Sequence, residues 1–200
     1  MSTKLVPLQE KGKSLDLSEK VLAADEDAAK RLFQRAVYLL CRPALWHATV
    51  GALSASFSID TKHQEEGIER GDHIRIKIPG PALSQGDGED WVRVDVVEKN
   101  LDEQFDESFG VLLIVCPNPH TTGNATAHFF AEGASSSFLL TRKDNIVTAH
   151  YKGRNESPNT DEVGLTDKIR NIVVAGSALA GMSELQWAAL LKGLLQSNDE

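Results

Sequence analysis

From Ala52 to Tyr151 the apolar residues of this 200-residue chain recur at every second position, and on either side of that stretch they recur every three to four. A period of two puts apolar side chains on one face of a strand, and a period near 3.6 puts them in a stripe along a helix. The chain is therefore helical at both ends and stranded in the middle. Phe57 and Ile59 mark the first strand. Ile74, Ile76 and Ile78 alternate with His73, Arg75 and Lys77, the pattern of a half-buried strand. Trp91, Val92, Val94, Val96 and Val97 form another, and Val111 to Cys116 is a continuous apolar run between Gly110 and Pro117. Ala127 to Phe130 and Phe138 to Thr141 follow. Lys143-Asp144-Asn145 turns the chain into Ile146 to Tyr151, the clearest hairpin in the sequence.

The N-terminal helix opens at Asp25, whose side chain suits an N-cap, with Glu26 and Asp27 in the first turn where the helix dipole favours negative charge. Leu32, Phe33, Ala36, Val37, Leu39 and Leu40 give it an apolar stripe. Arg42-Pro43 ends it, since Pro cannot donate its backbone hydrogen bond. Ala44 to Leu53, centred on Trp46, is a second short apolar stretch. Near the C-terminus Ile169, Ile172, Val173, Gly176, Leu179 and Ala180 share one helical face. Gly181-Met182 breaks the pattern, and Ser183 with Gln186 makes a capping box for a last helix striped by Leu185, Ala188, Ala189, Leu191 and Leu195. Residues 1–16 lack periodicity and are expected as a loose arm, with Leu15, Leu17 and Val21 a short strand or lead-in; residues 17–197 are expected as one domain. Strands joined by short turns pair antiparallel, and the terminal helices are the elements available to cover the apolar face of such a sheet. The expected fold is α+β: a curled antiparallel sheet of about six strands carrying an N-terminal helix and a C-terminal helical pair.

Charge narrows the partners. The net charge is −8, spread along the chain, with no basic run, which argues against phosphate backbones and against anionic lipid surfaces. The first residues hold no apolar run of secretory type, and no stretch reaches the ~18 apolar residues of a membrane-spanning helix, so a cytoplasmic location is expected. Cys41 and Cys116, in apolar stretches, read as small buried hydrophobes. The patterns at Asn124 and Asn155 that resemble glycosylation acceptors are read as chance.

Chemistry-bearing motifs are sparse. None of the six histidines pairs at metal-ligand spacing; His63 and His73 flank a charged loop, and His128 and His150 sit where neighbouring strands can bring them together. Asp87, Glu89 and Asp90 occupy a Gly-rich loop without the alternating acids of a calcium loop. Gly133 to Ser137 lacks the closing glycine of a nucleophile elbow, and no glycine-rich phosphate loop occurs. No cofactor, metal or catalytic residue is assigned. The most pointed polar cluster runs from Tyr151 to Asn159, where Arg154, Asn155 and Glu156 suit either a polar ligand group or backbone ties.

The stretch Ser18 to Asp25, followed by Leu32-Phe33 and Trp46, and the order helix, sheet, terminal helices resemble the START-type helix-grip superfamily. The break at Gly181 departs from the single long C-terminal helix of that superfamily. The resemblance implies an apolar cavity between sheet and helix, used for hydrophobic ligands or for protein partners. On this reading the chain is a non-catalytic binding protein for an apolar or amphipathic small molecule, with His128, His150, Arg154, Trp91 and Gly176 as ligand-binding candidates. Ala175, Gly176, Ala178, Ala180 and Gly181 leave room beside the helix. The alternatives are a solid-cored interaction subunit of a larger assembly, which self-associates or binds a protein partner, and a pocket enzyme drawing on Asp72, His73, Arg93, His128, His150 and Arg154.

Overall fold

The computed structural model describes residues 4–50, 55–60, 67–77, 89–100, 104–121, 130, 132–157 and 184–196. Its elements are β1 (Lys13–Leu22), α1 (Glu26–Leu40), a 3-10 turn (Pro43–Leu45), α2 (Trp46–Val50), β2 (Ser56–Asp60), β3 (His73–Lys77), β4 (Glu89–Lys99), β5 (Glu107–Val115), β6 (Ser135–Lys143) and β7 (Ile146–Glu156), then a helix over 184–194, here α3. The sheet has seven strands in the order β1-β7-β6-β5-β4-β3-β2, all neighbours antiparallel. It curls without closing, so β1 and β2 are its edges.

The expected architecture is present, with two differences. The sheet gains β1, which pairs with β7 from Lys13↔Glu156 to Leu22↔Ile146. The reason is legible in its alternation: Leu15, Leu17 and Val21 point to the main core while Asp16, Ser18 and Lys20 point away. The segment ahead of β1, expected as a loose arm, is fastened along residues 5–12. Leu5 is 1% exposed and packs with Leu112 and Leu139 on the outer face of the sheet, where the Ser137 hydroxyl donates to the Leu5 carbonyl at 2.6 Å. Asn155 completes the tie: its side-chain oxygen accepts from the Glu10 and Lys11 amides, and its side-chain nitrogen donates to the Leu8 carbonyl. The segment lacks periodicity because, Leu5 and Gln9 apart, its backbone groups make the ties.

α1 begins as expected, the Asp25 carboxylate accepting from the Ala28 amide at 2.7 Å. It buries Ala29, Leu32, Phe33, Ala36 and Leu40 and packs on β6 and β7. α3 adds Leu190, Leu191, Leu194 and Leu195 to the same core. The two helices are also joined by Arg35, which donates to the carbonyls of Leu194 and Gln196 at the end of α3, a common way to satisfy the last carbonyls of a helix. A bulge between Val94 and Val96 turns Val94 and Val97 toward the helices and Val96 outward. The expected strand from Ala127, the first helix of the C-terminal pair and its break at Gly181 lie outside the described residues. Among the described residues, no helix is long and apolar enough to cross a membrane.

Candidate functional site

The two faces of the sheet differ in chemistry. In β7 the odd residues Val147, Ala149 and Tyr151 belong to the main core, while the even residues Thr148, His150, Lys152 and Arg154 face the other way. Cross-strand partners share a face. Tyr151 opposes Phe138, on the helix side, and His150 opposes Leu139, on the outer side.

The helix face carries an aromatic cluster. The fully buried Trp46 lies 5.1 Å from Phe57 and 5.5 Å from Phe138, ring centre to ring centre, and donates its indole N–H to the Leu39 carbonyl. Trp187 of α3 meets Trp46, Phe57 and Phe138, and stacks on Tyr151 at 5.1 Å with 18° between the rings. Such tilted and offset contacts are favourable beyond the area they bury. Trp187 is only half-buried, so the last helix closes this cluster with a side chain that still meets solvent.

At one end of the cluster stand three polar side chains. The Tyr151 hydroxyl is 3.0 Å from Ser136 Oγ and 3.2 Å from Glu156 Oε1. Gly153 makes this possible. It sits between Tyr151 and Glu156 on the helix face, and a Cβ there would overlap the Glu156 carboxylate. Asn155, at a φ of 59°, shifts the strand so that Glu156 comes round to that face. Burial holds the Tyr151 phenol well above its ordinary value, and the nearby Glu156 charge adds to it. Burial likewise raises the Glu156 carboxyl, against the lowering influence of its bond to Tyr151 and of Arg154 and Lys13. The arrangement places hydrogen-bonding groups beside a buried aromatic cluster.

The candidates read from sequence fall elsewhere. His150 is half-buried on the outer face, its imidazole held below its ordinary value by burial and by Lys152. Arg154 donates to Asp16 at 2.5 Å on the same face, and this bond, with Lys152, holds the Asp16 carboxyl below its ordinary value. Trp91 is buried on the outer face against the His120 ring, at 5.7 Å, with its indole N–H unpartnered among the described residues. None of these three lines the helix face. β4 and β7 are separated by β5 and β6, about 14 Å at ordinary strand spacing, so Trp91 and Arg93 do not meet His150 and Arg154. His128 and Gly176 lie outside the described residues, as do His63 and Asp87; Glu89 and Asp90 are in β4, and Ser135 to Ser137 are in β6. The cluster from Tyr151 divides in two: Arg154 and Asn155 tie down the N-terminal segment and β1, and Glu156 returns to Tyr151. The sequence pointed to Glu156 within the Tyr151–Asn159 cluster and to Ser136 within Gly133–Ser137, but made neither of them, nor Tyr151, a ligand-binding candidate. The phase of β7, with Tyr151 two residues beyond Ala149, was the signal that puts its hydroxyl inside.

A cleft of about 510 Å³ lined by Asp25, Glu26, Asp27, Asp144 and Asn145 lies at the start of α1 and the β6–β7 turn. Its lining residues are four acids and an asparagine, so no apolar side chain lines it.

No protein-family model matches this chain, and no curated protein matches it by sequence. Solved structures do. A STAR-related lipid transfer protein fragment from Xanthomonas axonopodis superposes with a TM-score of 0.56 at 11% identity, over 92% of this chain and 86% of that one. The fold is of the START-type helix-grip kind. A START superfamily protein from Mycobacterium smegmatis also matches, at a TM-score of 0.44 and 10% identity, over 92% of this chain and 99% of that one. The helix-grip assignment stands on the first of these, and it concerns the fold alone.

Proposed function

We propose that this chain is a non-catalytic binding protein that holds an apolar or amphipathic small molecule between the helix face of its sheet and its C-terminal helices. The observation that carries this reading is the polar trio Ser136, Tyr151 and Glu156 at the end of the aromatic cluster of Trp46, Phe57, Phe138 and Trp187. A core built for stability alone gains little from a carboxylate inside it, because burying a charge is costly. A binding surface uses a few polar groups to orient a mostly apolar guest. The half-buried Trp187 is the side chain that such a guest displaces first. The lipid transfer protein that shares the fold supports the reading by its name. The two free thiols, Cys41 and Cys116, both raised by burial, suit a cytoplasmic location.

Mass spectrometry of the protein purified under native conditions tests this. The expected result is a population heavier than the 21.8 kDa chain by the mass of a small apolar molecule, which extraction with organic solvent removes. A bare chain that also fails to take up added long-chain amphiphiles contradicts it. A heavier species made only of whole protein subunits favours an interaction subunit instead.

A further inference from the structure

Resting on that reading, we infer that the site selects amphiphiles whose polar head donates hydrogen bonds, a hydroxyl or an ammonium, and rejects those with a carboxylate head.

The Tyr151 hydroxyl has one hydrogen and two neighbours, Ser136 Oγ at 3.0 Å and Glu156 Oε1 at 3.2 Å. A carboxylate only accepts. The phenol therefore donates to Glu156, and the Ser136 hydroxyl donates to the phenol oxygen. This arrangement uses every side-chain hydrogen of the trio. What remains free among the described residues is acceptor capacity: lone pairs on Ser136 Oγ and on the Glu156 carboxylate. Glu156 is half-buried and Tyr151 fully buried, so an arriving head reaches the trio from the Glu156 side.

The cations near Glu156 do not reverse this polarity: Lys13, across from it on β1, is exposed and acts on the carboxyl only as a charge. Arg154 donates to Asp16 and to the Gly153 carbonyl, which engages its guanidinium at the outer side of the sheet. A hydroxyl head gives Glu156 the donor it lacks, and an ammonium head adds charge attraction, which is stronger in a partly desolvated site than in water. A carboxylate head brings a second negative charge and acceptors to a group of acceptors.

The test uses the full chain and three probes with one tail: decanol, decylamine and decanoate. Binding at pH 7.5 is followed by the fluorescence of Trp46 and Trp187 and confirmed by calorimetry. Decanol and decylamine are expected to bind at least about tenfold more tightly than decanoate, the difference that one unmet buried polar contact makes. Glu156→Gln removes the advantage of the amine over the alcohol and improves decanoate. Equal affinities for all three heads, or a preference for decanoate, overturn the head-group inference while leaving the apolar site in place. Failure of all three to bind, with the chain folded by circular dichroism, overturns the site itself.

Discussion

The Glu156 carboxylate lies 3.2 Å from the hydroxyl of Tyr151, five residues earlier on the same strand, and it reaches that position by lying over Gly153. An uninterrupted strand sends residues 151 and 156 to opposite faces. The left-handed backbone at Asn155 removes that opposition. A polar element of the helix face thus depends on a glycine and on a left-handed asparagine.

Gly153 and Glu156 are therefore energetically coupled. Gly153→Ala introduces a methyl group where the carboxylate sits, and is expected to destabilise the protein by about 1–3 kcal/mol. In a Glu156→Ala background the same substitution costs less, with a coupling of about 1 kcal/mol in a double-mutant cycle read by urea denaturation. Additive effects show that the two groups do not compete for one space.

Asn155 is the clasp of the N-terminal segment. Asn155→Ala abolishes its bonds to the backbone of Leu8, Glu10 and Lys11, and is expected to cost about 2–3 kcal/mol. Asn155→Asp retains the acceptor for the two amides and loses only the donor to Leu8. Hydrogen exchange at Glu10 and Lys11 separates the variants: fast in Asn155→Ala, still protected in Asn155→Asp. Fast exchange of both amides in the unaltered protein contradicts the clasp.

Two leucines three residues apart check how firmly that segment is seated. Leu5 is 1% exposed and Leu8 76%. Leu5→Ala is expected to lower stability by about 2–4 kcal/mol, and Leu8→Ala by no more than about 0.5 kcal/mol. Similar small losses for both, measured by thermal denaturation, place the segment off the sheet.

Glu156 and His150 pull the pH dependence of stability in opposite directions. Burial raises the Glu156 carboxyl above its ordinary 4.5, so the folded chain takes up that proton more readily than the unfolded one. The contribution is complete below pH 4.5 and is lost as pH rises through the folded value. Burial lowers the His150 imidazole from 6.5, so its contribution is complete above pH 6.5 and is lost as pH falls through the folded value. Melting temperatures recorded against pH are expected to show Glu156→Gln gaining on the unaltered protein as pH rises from 4.5. His150→Gln flattens the profile just below pH 6.5. A Glu156→Gln difference that is constant with pH removes the carboxylate from its buried position.

The helices α1 and α3 and most of the strands were legible because periodicity reports burial directly. Asp25, the Leu32-Phe33 stripe, the Ile74-Ile76 alternation and the turn at Asp144 each signal locally and appear in the structure. β1 was half legible: Leu15 and Leu17 alternate, but its partner β7 is more than a hundred residues away and leaves no local mark. The candidate site was hidden for the same reason. His150 and Arg154 have the right chemistry, yet the phase of β7 turns them outward, and that phase follows from which face the distant helices cover. Tyr151 and Glu156 differ by an odd number of residues, so alternation assigns them to opposite faces. Only the backbone at Asn155 brings them together, and no composition rule reports it.

Amide and indole chemical shifts, followed by nuclear magnetic resonance as decanol is added, put the central claim to its most direct test. The account predicts shifts at Ser136, Tyr151, Gly153 and the Trp187 indole, with Ser18, Leu139 and His150 on the outer face unmoved. Shifts confined to the outer face, or none at saturating decanol, contradict it.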